Sequence, residues 1–247
     1  MSTIQGSKAQ GSTIHGNVPN AIDFARQVTE SNWFEITANT TPSFRRTGNY
    51  SDCVIKTQTG EHRVHKIVLC SQSPFFAKAV KKDTFEEGRT GVINLEHDDP
   101  QAIAATLDYL YQGHYKCTIV ETGDQVLYHT AVFVLADNLG IFALKTYALQ
   151  FIGTALSTMF GSSPYVELLM YAYESAPPGS AGKGLRALVV EEIKGHGKAA
   201  FQLSNGAEFR KMLVDVPELA ADLAESLTND LYKSNHTSRF HGNGTGF

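Results

Sequence analysis

The sequence has no uninterrupted apolar run near the roughly 20 residues that a membrane-spanning helix needs. Its first residues, Met-Ser-Thr-Ile-Gln-Gly-Ser-Lys, lack the apolar centre of a secretory signal. Basic residues never cluster beyond pairs, as at Arg45-Arg46 and Lys81-Lys82, and the formal net charge is −4. Neither nucleic acid nor a membrane surface is therefore an expected partner. Cysteine is scarce: Cys53, Cys70 and Cys117 are 3 in number, widely spaced and without a C-x-x-C. Each lies in or beside an apolar run, so buried free thiols in a reducing compartment are expected. The chain reads as intracellular, in the cytoplasm and/or the nucleus. The Asn-x-Ser/Thr triplets at Asn39, Asn49, Asn235 and Asn243 then read as unmodified.

Signatures of catalysis are missing as well. There is no G-x-S-x-G, no S-x-x-K and no H-E-x-x-H. Gly182-Lys183 invites a phosphate loop, but that motif requires glycine at 177 and Ser or Thr at 184, where the chain has Pro177 and Gly184. His62 and His65, with Cys70 nearby, have the best metal-ligand spacing. No second pair accompanies them, and three residues apart on a strand they would face opposite sides. His236 and His241 sit in a polar, glycine-containing tail and read as solvated. Glu86-Glu87 and Asp98-Asp99 are neighbours in sequence and read as loop-end and capping groups. Cys70 follows Val68-Leu69 and reads as packing. No catalytic residue, metal, cofactor or small-molecule substrate is expected, and the chain reads as non-enzymatic.

What is present suits a packed core: 42% hydrophobic and 19% charged residues over 247 positions, enough for one domain and part of a second. Residues 1–17 are rich in Ser, Thr, Gly and Gln and read as a disordered tail. Residues 18–48 read as an arm with a candidate short helix, where Asn20 can cap and Ile22, Phe24, Ala25 and Val28 give an apolar face. Within that arm, residues 37–49 have linker composition.

From Asp52 the pattern changes. Cys53 to Thr57 and His62 to His65 read as strands joined by a Thr59-Gly60 turn, with a short third strand over residues 91–95. Lys66 to Cys70 reads as a short helix. Ser73-Pro74 and Asp99-Pro100 are cap-plus-proline helix starts. Ile103, Leu107, Leu110 and Tyr111 recur at i, i+4, i+7 and i+8 and stop at Gly113. The same spacing recurs in Leu127, Ala131, Val134 and Leu135, ending at Gly140, and again in Leu144, Ala148, Phe151, Ile152 and Ala155. A small sheet followed by helical hairpins is an α+β arrangement.

Beyond Gly161 only helices are expected. Inward faces are Val166, Leu169, Met170 and Tyr173; then Leu185, Leu188, Val189 and Ile193; then Phe209, Met212 and Leu213. Last come Leu219, Leu223, Leu227 and Leu231, opened by Val216-Pro217. Pro177 to Gly182 separates the first two. Residues 161–232 thus form a helical extension, and residues 233–247 a disordered tail.

Residues 49–156 resemble a BTB/POZ domain of the kind common in fungal proteins. The resemblance rests on Asp52 after Ser51 in the opening strand and on His65 in Val64-His65-Lys66-Ile67-Val68-Leu69. It rests also on Ser73-Pro74-Phe75-Phe76 and on Leu107-Asp108-Tyr109-Leu110-Tyr111-Gln112-Gly113-His114-Tyr115, with Gln112 where the family usually has Thr. It implies a three-stranded sheet flanked by helical hairpins, with Asp52, His65, Ser73, Pro74, Tyr111 and Gly113 maintaining the fold.

The resemblance further implies protein–protein association. A homodimer would form through the short helix at Lys66, Ile67 and Val68 and the segment ahead of the first strand. Many members also bind a cullin as substrate adaptors of a ubiquitin ligase, for which the face of Ile103, Thr106 and Tyr111 is the candidate here. Residues 161–232 are similar in placement to the BACK region of such adaptors. A further alternative is a transcriptional co-regulator acting through a DNA-binding partner.

Overall fold

The structure is a computed structural model that describes residues 42–82, 85–177, 183–202 and 206–240. β1 (Cys53–Thr57) alternates inward and outward, with Cys53, Ile55 and Thr57 buried. This is the period-2 pattern of a strand with one face on a core. The chain turns back through Thr59 into β2 (Gly60–Val64), which pairs antiparallel with β1 so that Ile55 faces His62. β3 (Val92–Asn94) joins the other edge of β1 in parallel, with Ile55 opposite Ile93, giving the order β2–β1–β3. The third strand is shorter than expected because Gly91 is taken by the left-handed end of the preceding helix, at φ +70°.

Three short helices fill the crossover between β2 and β3: α1 (Lys66–Cys70), α2 (Pro74–Ala79) and α3 (Glu86–Thr90). The Ser73 hydroxyl accepts the Phe76 N–H at 3.2 Å, the capping bond that its position before Pro74 predicts. Asp99 caps α4 (Pro100–Gln112) in the same way, its Oδ1 accepting from Gln101 and Ala102. Gly113, at φ +75°, closes that helix. Ile103, Leu107, Leu110 and Tyr111 all point inward, as their spacing requires. Each such apolar side chain removed from water contributes about 2 kcal/mol.

α5 (Thr122–Asn138) and α6 (Phe142–Met159) form the next hairpin. Here the expected inward faces need correction. Leu127 and Phe151 are 37% and 38% exposed, whereas Val126, His129, Thr130, Val132 and Phe133 are buried. α5 is packed by α4, α6 and by the first helix of the extension, so most of its circumference is covered. A helix covered on several sides has no single stripe to read.

The extension comprises α7 (Tyr165–Glu174), α8 (Lys183–His196), α9 (Lys198–Gln202), α10 (Gly206–Asp215) and α11 (Pro217–Phe240). Its inner residues, among them Leu169, Leu185, Val189, Phe209 and Leu219, share one continuous core with the sheet and α4–α6. Tyr173 on α7 donates to the Asp222 carboxylate of α11 at 2.6 Å, and Lys194 on α8 pairs with Asp230. Two expectations about α11 are corrected. Helix continues through the stretch from Lys233 to Phe240 expected to be a disordered tail, since no glycine or proline intervenes before Gly242. Its leucine row leaves the core after Leu223: Leu227 and Leu231 are 46% and 65% exposed. A strict four-residue step drifts around a helix of 3.6 residues per turn.

The expected linker over residues 37–49 contains a helical turn at residues 42–47. Only Cys53 of the three thiols is buried, Cys70 and Cys117 being partly so, and all are free. The expected tail over residues 1–17, the candidate helix after Asn20 and His241 lie outside the described residues. None of the helices described is long and apolar enough to cross a membrane.

A candidate interaction surface at the first short helix

The α1 surface is fixed from two directions. The Asp52 carboxylate accepts the Lys66 N–H at 2.7 Å, so an acid just ahead of β1 serves as the cap that α1 lacks in its own sequence. His65, the residue before α1, is held on three sides. Its N–H donates to the Tyr111 hydroxyl oxygen at 2.9 Å, and its Nδ1 lies 2.7 Å from the same oxygen. Its Nε2 is 2.7 Å from the Asn49 carbonyl. One proton arrangement satisfies all three: Nε2–H donates to Asn49, and the tyrosine O–H donates to Nδ1. Burial pushes the Tyr111 hydroxyl up, which keeps that proton on oxygen.

With these polar atoms paired, what remains outward is apolar. A cleft of about 260 Å³ is lined by Phe44, Tyr50, His65, Ile67, Val68 and Tyr111. Ile67 is 79% exposed and Tyr50 87% exposed. Phe44 meets both the Tyr50 and the His65 rings edge-on, at 6.2 and 5.8 Å between centroids. Tyr50 sits at φ +63°, and no other described residue except glycine has a positive φ. A bulky side chain in that region costs about 1–2 kcal/mol. Arg45, paired with Asp108 of α4 at 3.5 Å, anchors the 42–47 turn that carries Phe44.

Of the candidate dimer residues, Ile67 is open to solvent and Lys66 and Val68 are partly so. Phe44 and Tyr50 lie in the segment ahead of β1 that the resemblance implicates, but are not singled out there because Thr, Pro, Gly and Asn around them have linker composition. Two aromatic rings within such a stretch are the available signal. The candidate cullin face does not exist as a surface. Ile103, Thr106 and Tyr111 are 1%, 1% and 3% exposed. Ile103 and Tyr111 belong to the inward stripe of α4, and a side chain cannot serve the core and a partner at once. The outer side of α4 carries Gln101, Ala104, Asp108 and Gln112.

The remaining signature residues join two segments distant in sequence. Ser73 Oγ donates to the Leu139 carbonyl at 2.6 Å, and a Cβ on Gly140 would lie 3.2 Å from Pro74 Cδ. The Ser-Pro start of α2 therefore seats against the Leu-Gly end of α5.

Burial favours the neutral forms of His129, His62, Cys53 and Cys70. His129 on α5, 2% exposed, is pushed down to about 4 and stacks on Phe151 at 4.9 Å. Its Nδ1 lies 2.8 Å from the Tyr115 hydroxyl. Burial pushes the Cys53 and Cys70 thiols up, away from nucleophilic thiolates. His62 is pushed down by burial and by Arg45. Among the described residues no group of three or more His, Cys, Asp or Glu side chains could hold a metal ion.

The sequence profile of the BTB/POZ domain matches residues 42–152. Kelch-like protein 40 of Xenopus tropicalis is 31% identical over 104 residues, which is 42% of this chain and 16% of that protein. Kelch-like protein 40b of Danio rerio is 30% identical over 106 residues, again 16% of its length. This chain thus spans about one-sixth of the curated relatives it matches. Among solved structures, the BTB domain of human gigaxonin aligns with TM-score 0.40 and 22% identity, over 50% of this chain and 92% of that one. The BTB domain of zebrafish PATZ1 aligns with TM-score 0.40 and 15% identity, over 51% and 95%.

Proposed function

Residues 42–152 are a BTB/POZ domain, and on that premise we propose that the chain is a non-enzymatic, intracellular protein–protein interaction module that self-associates through α1. The observation that carries this reading is Ile67, 79% exposed beside a cleft whose polar atoms are already paired. An isoleucine that open, flanked by an exposed tyrosine in a costly backbone conformation, is explained by a partner surface. A two-fold dimer would set the α1 face of one copy on the α1 face of the next, each Ile67 entering apolar surroundings.

Light scattering on the full chain at ~100 μM tests it, a concentration at which a dimer of standard interface size persists. The expected mass is twice 27.0 kDa, falling to 27.0 kDa in Ile67→Asp. A wild-type chain that is monomeric under those conditions overturns the reading.

The likeness to the Kelch-like relatives supports a second reading, a substrate-adaptor subunit of a cullin-based ubiquitin ligase. A cullin would then contact the outer residues of α4, such as Gln101 and Asp108, in place of the buried trio. Titration of the purified chain with a purified cullin at about 10 μM checks it, and a variant carrying Gln101→Ala and Asp108→Ala should bind at least tenfold more weakly.

A further inference from the structure

A second cleft, of about 430 Å³, opens where the BTB/POZ region meets the helical extension. The loop from β3 to α4 contributes His97, Asp98 and Asp99, α5 contributes Val134 and Asn138, and α7 contributes Tyr171. It shares no residue with the α1 cleft. Its volume is that of a recognition site for a few side chains.

The character of the cleft is one-sided. Two carboxylates lie on its rim, and no lysine or arginine lines it among the described residues. Asp99 uses only Oδ1 to cap α4, which leaves Oδ2 free of that duty. Asp98 anchors the loop through its backbone, whose N–H donates to the Leu95 carbonyl at 3.1 Å, so its side chain is not needed for the turn. Burial pushes the Asp98 carboxyl up, and His97 offsets this only in part. A carboxylate that has lost water gains from an incoming cation. Tyr171, on the same lining, is 39% exposed, and Val134 and Ala102 add apolar surface to the cleft.

We propose that this cleft docks an arginine-bearing segment of a partner protein, with the guanidinium between the Asp98 carboxylate and the Tyr171 ring and an apolar neighbour on Val134. Arginine fits better than lysine because its planar cation stacks on an aromatic face while its edge binds a carboxylate. Since Tyr171 belongs to α7, beyond residue 152, the site requires the extension as well as the BTB/POZ region. This gives the extension a role in partner choice separate from self-association.

The test is fluorescence anisotropy of the full chain with fluorescein-labelled Leu-Arg-Leu-Arg-Leu, and with a counterpart in which glutamate replaces arginine. The arginine peptide is expected to bind, and the glutamate peptide to show no binding at ~1 mM. Asp98→Asn, which keeps the shape of the side chain, should weaken the arginine peptide about tenfold. Tyr171→Ala should do likewise, whereas Tyr171→Phe and Glu208→Gln, an exposed acid on α10, should leave affinity within twofold. Thermal melting of each variant verifies that it is folded. Equal affinity of wild type and Asp98→Asn, or equal binding of the two peptides, overturns the proposal. So does the absence of binding by wild type. An Ile67→Asp monomer should bind the peptide as well as the wild type, so this test and that of self-association fail independently.

Discussion

Tyr111 and His65 are joined twice across 46 positions of sequence, the hydroxyl accepting from the His65 N–H at 2.9 Å and donating to its Nδ1 at 2.7 Å. One oxygen near the end of α4 thereby fixes both the backbone and the ring of the residue from which α1 begins. The α1 surface is held there by this oxygen together with the Asp52 carboxylate that caps Lys66.

Removing the oxygen while keeping the ring isolates its contribution. Tyr111→Phe leaves a backbone donor and a ring nitrogen unpaired at a site 3% exposed, at a cost of about 2–3 kcal/mol. Urea denaturation should show this as a lower midpoint with an unchanged slope. Self-association should weaken as well, because Ile67 follows directly on the released segment.

His129 supplies a pH signature. Its folded-state value of about 4 lies below the ordinary histidine value of 6.5. Above pH 6.5 both folded and unfolded forms are neutral, and the group adds no pH dependence. As pH falls from 6.5 towards 4, the unfolded chain takes up the proton first and stability declines, by roughly 3 kcal/mol over the interval. His129→Gln keeps an acceptor for the Tyr115 hydroxyl but cannot titrate. The difference in unfolding free energy between wild type and variant should shrink as pH drops from 7 to 4.5; a constant difference contradicts the assignment.

Ser73 combines two duties, capping α2 and holding the Leu139 carbonyl. Ser73→Ala should cost about 2 kcal/mol, more than an exposed cap alone. Gly140→Ala strains the same junction from the other side, since φ is +69° and its Cβ would press on Pro74. The double variant should lose less than the sum of the two single losses, as residues sharing one contact do. Thermal denaturation of the four proteins measures this coupling.

Tyr50 separates stability from association. Tyr50→Asn places at φ +63° a residue that tolerates the left-handed region, so stability should hold or rise by up to about 1 kcal/mol. The ring that flanks the cleft is lost, and dimer dissociation should strengthen about tenfold in sedimentation experiments. Loss of both properties together would show the ring to be part of the core instead.

Features governed by neighbours in sequence were legible beforehand. Ser73-Pro74 and Asp99-Pro100 start helices because capping is a bond between residues two or three apart, and Gly113 ends one because only glycine takes the left-handed turn cheaply. Which way a side chain faces is another matter. The spacing of Leu127, Ala131 and Val134 suggests an inward stripe, but α4, α6 and α7 surround α5 and bury its other residues more deeply. The α1 surface was half legible. Ile67 follows from resemblance, whereas the placement of Phe44 and Tyr50 depends on His65 and on the Arg45–Asp108 pair, which no local pattern encodes. The buried trio of Ile103, Thr106 and Tyr111 shows that resemblance can name a helix and still miss its outward side.

The two partners of β1 have different histories. β2 reaches it through a turn of two residues, while β3 pairs Val92 with Val54, 38 positions away. Loop closure becomes harder with length, and parallel pairing must wait until the intervening chain has collapsed. The hairpin is therefore an early event in folding, and the three-residue β3 a late one that locks only when α1, α2 and α3 have found their places. Amide protons of the β1–β3 ladder should be the last in the sheet to gain protection during refolding, and a nascent chain released before residue 94 would leave the β3-facing edge of β1 without its full partner.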